Sequence, residues 1–144
     1  MPNSSEILLK KLVDSQPAFS RLLGITIISV SKTQLFAEMV IKKEFANRNG
    51  VMHGGAIMAF ADNLGGTATF INLKANLSTT TIESKTNFFR PIKIGEKIKA
   101  QCDILKAGKK IVVVQTTIFR PDKKIAAIVI QTQMILKFQV KSNT

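Results

Sequence analysis

The sequence predicts an α+β fold in which one long central helix is wrapped by a curved, mainly antiparallel sheet. Residues 53–73 contain no proline and are apolar on more than one side, which is typical of a buried helix. Two strand-like runs precede this segment, and four more follow it with tight turns between them. Because one sheet cannot cover every side of such a helix, we expect a second copy of the chain to complete the cover.

The N-terminal residues 1–23 are predicted to be helical. Ser4 or Ser5 can cap a first helix that carries Glu6 in its first turn. Pro17 interrupts the pattern, and a short second turn over residues 18–23 is expected to end at Gly24. We expect a single domain over residues 1–144, with residues 139–144 as a loose tail.

Alternating apolar and polar residues predict the strands. The predicted strands cover residues 25–30, 35–41, 79–89, 97–105, 111–119 and 125–138. The second strand shows an apolar face at Leu35, Ala37, Met39 and Ile41. The last strand shows one at Ala126, Ile128, Ile130, Thr132, Met134, Leu136 and Phe138.

The formal net charge is +12, from 21 Lys and Arg against 9 Asp and Glu, which favours polyanionic partners. The basic residues are scattered, and the sequence has no Trp or Tyr to stack on bases, so we predict a solvated basic surface and no nucleic-acid partner. The first residues do not resemble a secretory signal, and the longest apolar runs are too short to span a membrane. We therefore expect a cytoplasmic protein that is not bound to a membrane.

Asp62 is the only formal charge between His53 and Lys74. A carboxylate on a mostly apolar helix is costly to bury unless it is paired or useful, so Asp62 is a candidate catalytic group. The alternative is that Asp62 lies on an exposed strip beside Asn63 and makes a surface contact.

His53, the only histidine, stands directly before Gly54 and Gly55, where the long helix is predicted to begin. Glycines there let a ligand approach the backbone N–H groups at the helix N-terminus. The positive end of the helix dipole at this point suits a developing oxyanion. Close packing is the other explanation of the glycine pair. For His53, a hydrogen bond to the preceding loop is favoured over proton transfer.

Asn47 and Asn49 lie in the loop before the helix, where an amide can donate to a carbonyl or serve a turn. One of the threonines at 79–81 can place a hydroxyl near a carboxylate, although threonine also suits a strand. Cys102 falls on an apolar strand face and is predicted to be core. One His and one Cys are too few for a zinc site, so no metal or separate cofactor is expected.

These residues together resemble a known signature. Residues 47–55 followed by 61–63 are similar to the motif of hotdog-fold thioesterases of the phenylacetate-pathway, PaaI-like type, a family that extends to acyl-CoA thioesterases outside that pathway. Residues 81–83 and 87–91, with Gly95, add to the resemblance, which covers residues 19–138.

The resemblance implies a role for each candidate residue. The Gly54 N–H and the Asn47 side chain, with Asn49 as the substitute, would polarise a thioester carbonyl. Asp62 of the facing subunit would act as general base or nucleophile, Thr81 would hold it, and His53 would brace the loop. The implied substrate-binding residues are Gly55, Phe60, Phe88 and Arg90.

The family also implies hydrolysis of acyl-CoA, with coenzyme A as part of the substrate, by subunits that join their sheets edge to edge and pair into a homotetramer. Arg90, Lys106, Lys109 or Arg120 would then meet the phosphates of coenzyme A. A non-catalytic acyl-CoA-binding or regulatory hotdog protein is the alternative, but it would need neither Asp62 nor Asn47. Related dehydratases use a different arrangement of histidine and acid.

Overall fold

The computed structural model describes residues 1–138, so the predicted tail at 139–144 lies outside the described residues. The helices are α1 (Ser4–Asp14), α2 (Ala18–Leu23) and α3 (Gly54–Phe70), with a short 3-10 turn at Lys43–Phe45. The strands are β1 (Thr26–Val30), β2 (Gln34–Val40), β3 (Leu77–Phe88), β4 (Lys97–Ala107), β5 (Ile111–Phe119) and β6 (Ile125–Lys137). No helix within residues 1–138 is both long and apolar enough to cross a membrane.

The six strands form one antiparallel sheet in the order β1-β2-β4-β5-β6-β3, which leaves β1 and β3 at its edges. α3 packs against this sheet through Ile57, Phe60, Ala61, Leu64 and Ala68, so the predicted fold class is confirmed. The opposite side of α3 is only partly covered by the described chain, because Met58 and Phe70 remain 38% and 56% exposed.

The first helix is capped one residue earlier than predicted. Asn3 Oδ1 accepts a hydrogen bond from the Glu6 N–H at 2.9 Å, and the Asn3 N–H donates to Glu6 Oε2 at 2.8 Å. Asparagine makes this reciprocal cap as well as serine does, so the expectation for Ser4 or Ser5 is wrong. α2 ends as predicted, at Gly24 with a φ of +75°.

In the last strand, the face that packs on the core is not the face that the apolar residues of the sequence suggest. Val129, Gln131 and Gln133 are buried, whereas Ile130, Met134 and Leu136 are about 40% exposed on the outer face. A shift of one residue in strand register reverses every side chain, so the alternation alone did not determine which face is inside. The consequence is that two glutamines lie beneath α3.

Candidate active site

His53 caps the N-terminus of α3 and fixes which backbone amide is free. Its Nδ1 accepts the Gly55 N–H at 2.8 Å, and its own N–H donates to the Phe45 carbonyl at 2.7 Å. A first-turn N–H has no partner inside the helix, and no acceptor within residues 1–138 takes the Gly54 N–H. Gly54 can therefore donate to a ligand, whereas the Gly55 N–H is already occupied.

Asn47 lines the same pocket as Gly54, which has a volume of about 340 Å³. Its Oδ1 accepts the N–H groups of Asn49 at 2.9 Å and Val51 at 3.3 Å. Because the loop holds the oxygen, the Nδ2 group is the one left to donate. Asn49 does not line this pocket, so the structure places Asn47 rather than Asn49 beside Gly54.

Phe88, Phe89 and Arg90, at the end of β3, form another wall of this pocket. A Cβ at Gly54 would lie 3.2 Å from Phe88 Cζ, so a larger residue at 54 would push on the ring. Arg90 is anchored by its Nη1, which donates to the Ile125 carbonyl at 2.7 Å. Phe60 is completely buried in the core and does not line the pocket, so its expected place at the substrate is corrected.

The Asp62 carboxylate lies on the exposed side of α3 but is firmly held. Thr81 Oγ1 and Gln131 Nε2 both donate to Asp62 Oδ1, each at 2.7 Å. Among residues 1–138, no donor reaches Asp62 Oδ2. One carboxylate oxygen is therefore fixed by the protein, and the other is left for a water or a substrate.

The direction of the Thr81 hydroxyl is set by Gln133. Gln133 Nε2 donates to Thr81 Oγ1 at 2.7 Å, and Gln133 Oε1 accepts from Thr79 Oγ1 at 3.2 Å. Since the Thr81 oxygen receives one hydrogen bond, its own single proton is directed to Asp62. The hydrogen-bonded series Thr79, Gln133 and Thr81 therefore orients the Asp62 carboxylate.

Strand alternation and a bulge directly after Thr81 shape β3 beside Asp62. The pairing with β6 shifts between Thr81 and Glu83, so Ile82 is an extra residue on the edge strand. Thr79 and Thr81 face inward to the glutamines, whereas Thr80 faces out. Bulges of this kind commonly re-aim side chains next to a site.

Sequence reasoning missed Gln131 and Gln133, which are 0% and 1% exposed. The signal for them is a pair of glutamines two positions apart in a mostly apolar strand. Gly65 on α3 makes room for them, because a Cβ at this position would overlap Gln131 Oε1 and lie 3.0 Å from Val114 Cγ2.

The described chain does not bring the two halves of the expected site together. Gly54 and Asp62 are eight residues apart on α3, which separates them by about 12 Å along the helix axis. Asp62 does not line the pocket of Asn47 and Gly54 but borders a second pocket beneath α1 and α2.

Other reactive or charged groups offer little at this site. Burial raises the pKa of the Cys102 thiol to about 11, so it is not a nucleophile at neutral pH. Arg120 forms an ion pair with Asp122 at 2.5 Å, which raises the arginine pKa and lowers that of the carboxyl. No group of three or more potential metal ligands occurs within residues 1–138.

Comparison with known proteins identifies the family. A sequence model of the thioesterase superfamily matches residues 49–127. A Saccharolobus solfataricus protein provisionally named an esterase is 30% identical over 122 residues, 85% of this chain and 86% of its own. Acyl-coenzyme A thioesterase 13 of Mus musculus is 28% identical over 100 residues, 69% of this chain and 71% of its own.

Solved structures share the fold. The Escherichia coli PaaI protein from the phenylacetic acid degradation operon superposes with a TM-score of 0.81 at 20% identity, covering 92% of this chain and 93% of its own. Thioesterase superfamily member 2 from Mus musculus gives 0.80 at 23% identity, covering 93% and 98%. A Streptococcus mutans protein bound to acetyl-CoA gives 0.74 at 19% identity, covering 81% and 91%. The chain has the hotdog fold, belongs to the thioesterase superfamily and is an enzyme of thioester hydrolysis.

Proposed function

We propose that this protein hydrolyses acyl-CoA thioesters to the free acid and coenzyme A, at a site formed by two copies of the chain. The observation that carries the proposal is a complementary pair of half-sites. Gly54 and Asn47 offer free donors in one pocket, and Asp62 offers a held carboxylate with one free oxygen.

The Gly54 N–H and the Asn47 Nδ2 group would bind the thioester oxygen. Two preorganised donors stabilise the negative charge that develops on this oxygen when the carbonyl carbon becomes tetrahedral. The N-terminus of α3 adds the positive end of its helix dipole. His53 acts indirectly, because its cap on Gly55 fixes the backbone that presents the Gly54 N–H.

Asp62 of the facing subunit would drive the attack. As general base, its Oδ2 takes a proton from water while the water oxygen bonds to the carbonyl carbon; the C–S bond then breaks, and the thiolate leaves and takes up the proton. As nucleophile, Oδ2 itself bonds to the carbon, the C–S bond breaks, and the thiolate leaves and takes a proton from solvent. Water then hydrolyses the resulting mixed anhydride, which releases the free acid and restores the Asp62 carboxylate. Thr81 and Gln131 hold Oδ1 in both cases.

Self-association through the β3 edge would unite the half-sites. β3 has 12 residues and an unpaired edge, and such long edges readily pair with another strand. Thr81 and Phe88 both lie on β3. Thr81 contacts Asp62, and Phe88 lies against Gly54. An antiparallel pairing that sets Thr81 opposite Phe88 of the partner subunit, with its twofold axis between residues 84 and 85, would bring Asp62 to the partner's Gly54.

Coenzyme A is the thiol that the comparisons favour. Acyl-coenzyme A thioesterase 13 is a relative, and one structural neighbour holds acetyl-CoA. The net charge of +12 suits a polyphosphorylated substrate. Arg90 lines the pocket and would meet a phosphate there, whereas the charge of Arg120 is already matched by Asp122.

Hydrolysis of short, medium, long and arylacetyl-CoA, with free thiol as the readout, tests the proposal. We expect Asp62→Ala to lower kcat by about 10² to 10⁴, the usual cost of a general base. Asp14→Ala, which removes an exposed carboxylate on α1, is the matched control and should keep wild-type turnover. Near-normal turnover by Asp62→Ala would remove Asp62 from the mechanism.

A further inference from the structure

A second pocket, of about 470 Å³, lies between the N-terminal helices and the exposed side of α3. Asp62, Gly66 and Phe70 follow one another along α3 at one-turn intervals and form its floor. Leu12, Pro17, Ile25 and Ile27 line it from α1, the α1–α2 junction and the start of β1.

The wall of this pocket carries little charge, and its polar side chains are engaged with the protein. Asp62 is the one charged residue among the described residues that line it. Each of its uncharged polar side chains already donates one hydrogen bond to a protein acceptor within 2.9 Å: Ser15, Gln16, Ser20, Asn63 and Thr67. A ligand that fills this space is therefore held mainly by apolar contact.

We infer that this pocket binds the apolar acyl chain of the substrate and sets its length. The inference rests on the proposed function, because the acyl chain begins at the carbonyl carbon, which Asp62 or its water must reach. The pocket that starts at Asp62 is apolar, whereas the pocket of Asn47 and Gly54 contains Arg90. The first therefore suits the acyl chain, and the second suits the carbonyl oxygen and coenzyme A.

The floor of the pocket gives the chain length. Asp62 and Phe70 are eight residues apart, or about 12 Å along the helix. With C–C bonds of about 1.5 Å, an extended chain advances about 1.3 Å per carbon, so this distance holds roughly nine or ten carbons. The preferred substrates are therefore medium-chain acyl thioesters.

Gly66 provides a way to shorten the pocket without harming the fold. A Cβ at this position has no neighbour within 4 Å, and glycine is a poor helix residue, so a leucine here is tolerated and points into open space. Gly66 is one turn, about 6 Å, beyond Asp62. At about 1.3 Å per carbon, Gly66→Leu should therefore limit the acyl chain that fits the pocket to roughly four or five carbons.

The test measures kcat/KM for butyryl-, hexanoyl-, octanoyl-, decanoyl- and dodecanoyl-CoA. For the wild type we expect about a fourfold rise per added methylene up to roughly ten carbons and none beyond. Gly66→Leu should lower the decanoyl-to-butyryl ratio at least tenfold, by loss of methylene burial. The control is Lys11→Leu, which adds the same side chain on α1 outside this pocket and should keep the wild-type profile.

A wild-type profile in Gly66→Leu, or an equal shift in Lys11→Leu, overturns the inference while leaving the hydrolysis itself intact. Calorimetric binding of the unhydrolysable S-decyl-CoA thioether separates the two proposals. If the wild type hydrolyses no acyl-CoA but binds the thioether more tightly than Gly66→Leu does, the pocket assignment stands and the catalytic proposal fails. If both proteins bind it equally or neither binds it, the pocket assignment fails.

Discussion

At the scale of single residues, the candidate site depends on how one carboxylate is held. Asp62 Oδ1 receives two hydrogen bonds, and the second of these, from Thr81, is itself directed by Gln133. A buried amide costs free energy where it is not bonded, and of the two glutamines beneath α3, Gln131 leaves its Oε1 without a partner among the described residues. Their contacts with Asp62 and Thr81 explain what they contribute in return.

Gln133→Leu should remove the group that directs the Thr81 proton. We expect kcat to fall about 10- to 100-fold, because small misplacements of a catalytic group have effects of this size, with KM within about twofold. Gln115→Leu on β5, whose amide contacts Thr117 instead, is the control. A kcat that stays at the wild-type value in folded Gln133→Leu would show that Gln133 does not position the site.

Gly65→Ala and Gly66→Ala change adjacent helix residues in the same way but should affect the free energy of unfolding in opposite directions. A Cβ at Gly65 overlaps the Gln131 amide, so we expect a loss of about 1–3 kcal/mol from overpacking. A Cβ at Gly66 meets nothing, so we expect a gain of up to about 1 kcal/mol from helix propensity. Urea unfolding of both variants measures the difference, and equal effects would contradict the described packing.

Cys102 should be inert in the folded protein. Its pKa of about 11 and its complete burial keep the thiol protonated and inaccessible at pH 8. Ellman's reagent should therefore react with it only after unfolding in guanidinium. Rapid reaction in native buffer would show that the sheet opens between β4 and β5 or that the thiol is exposed.

At the scale of elements, the sequence predicted the helices and strands well and the faces less well. Ile111–Phe119 and Ala18–Leu23 match the predicted ranges, since Gly108, Pro17 and Gly24 mark the turns around them. The inner face of β6 was not predictable, because apolar residues on its outer face are as regular as those inside. The bulge at Ile82 also has no sequence signal, since it arises from pairing with β6.

Ile82→Lys should separate the two copies. Ile82 is 55% exposed on the β3 edge, and a lysine at an edge opposes strand pairing. We expect the sedimentation coefficient to fall to that of a monomer and turnover to fall with it.

Ile28→Lys is the matched control for this variant, because Ile28 is a bulged, 48% exposed isoleucine on the opposite edge strand, β1. Its assembly and turnover should stay at the wild-type level. Loss of assembly in Ile28→Lys but not in Ile82→Lys would place the interface at the other edge of the sheet.

At the scale of the whole molecule, one chain carries both halves of the site but keeps them apart. Met58 and Phe70 of α3 stay exposed, and the expectation that a second copy covers this helix stays a prediction. The candidate residues Asn47, Gly54, Asp62 and Thr81 could be named from the motif, whereas the buried contacts of Asp62 could not, because they join residues up to 69 positions apart.

Mixing Asp62→Ala and Asn47→Ala subunits tests the shared site most directly. Each variant alone should lose about 10² or more in kcat. After unfolding together and refolding, random pairing gives half mixed dimers, and each mixed dimer contains one site with both Asp62 and Asn47 intact. We expect the mixture to recover about a quarter of wild-type turnover. If the mixture shows only the summed activity of the two variants while mixed dimers are present, each site belongs to a single chain and the account is wrong.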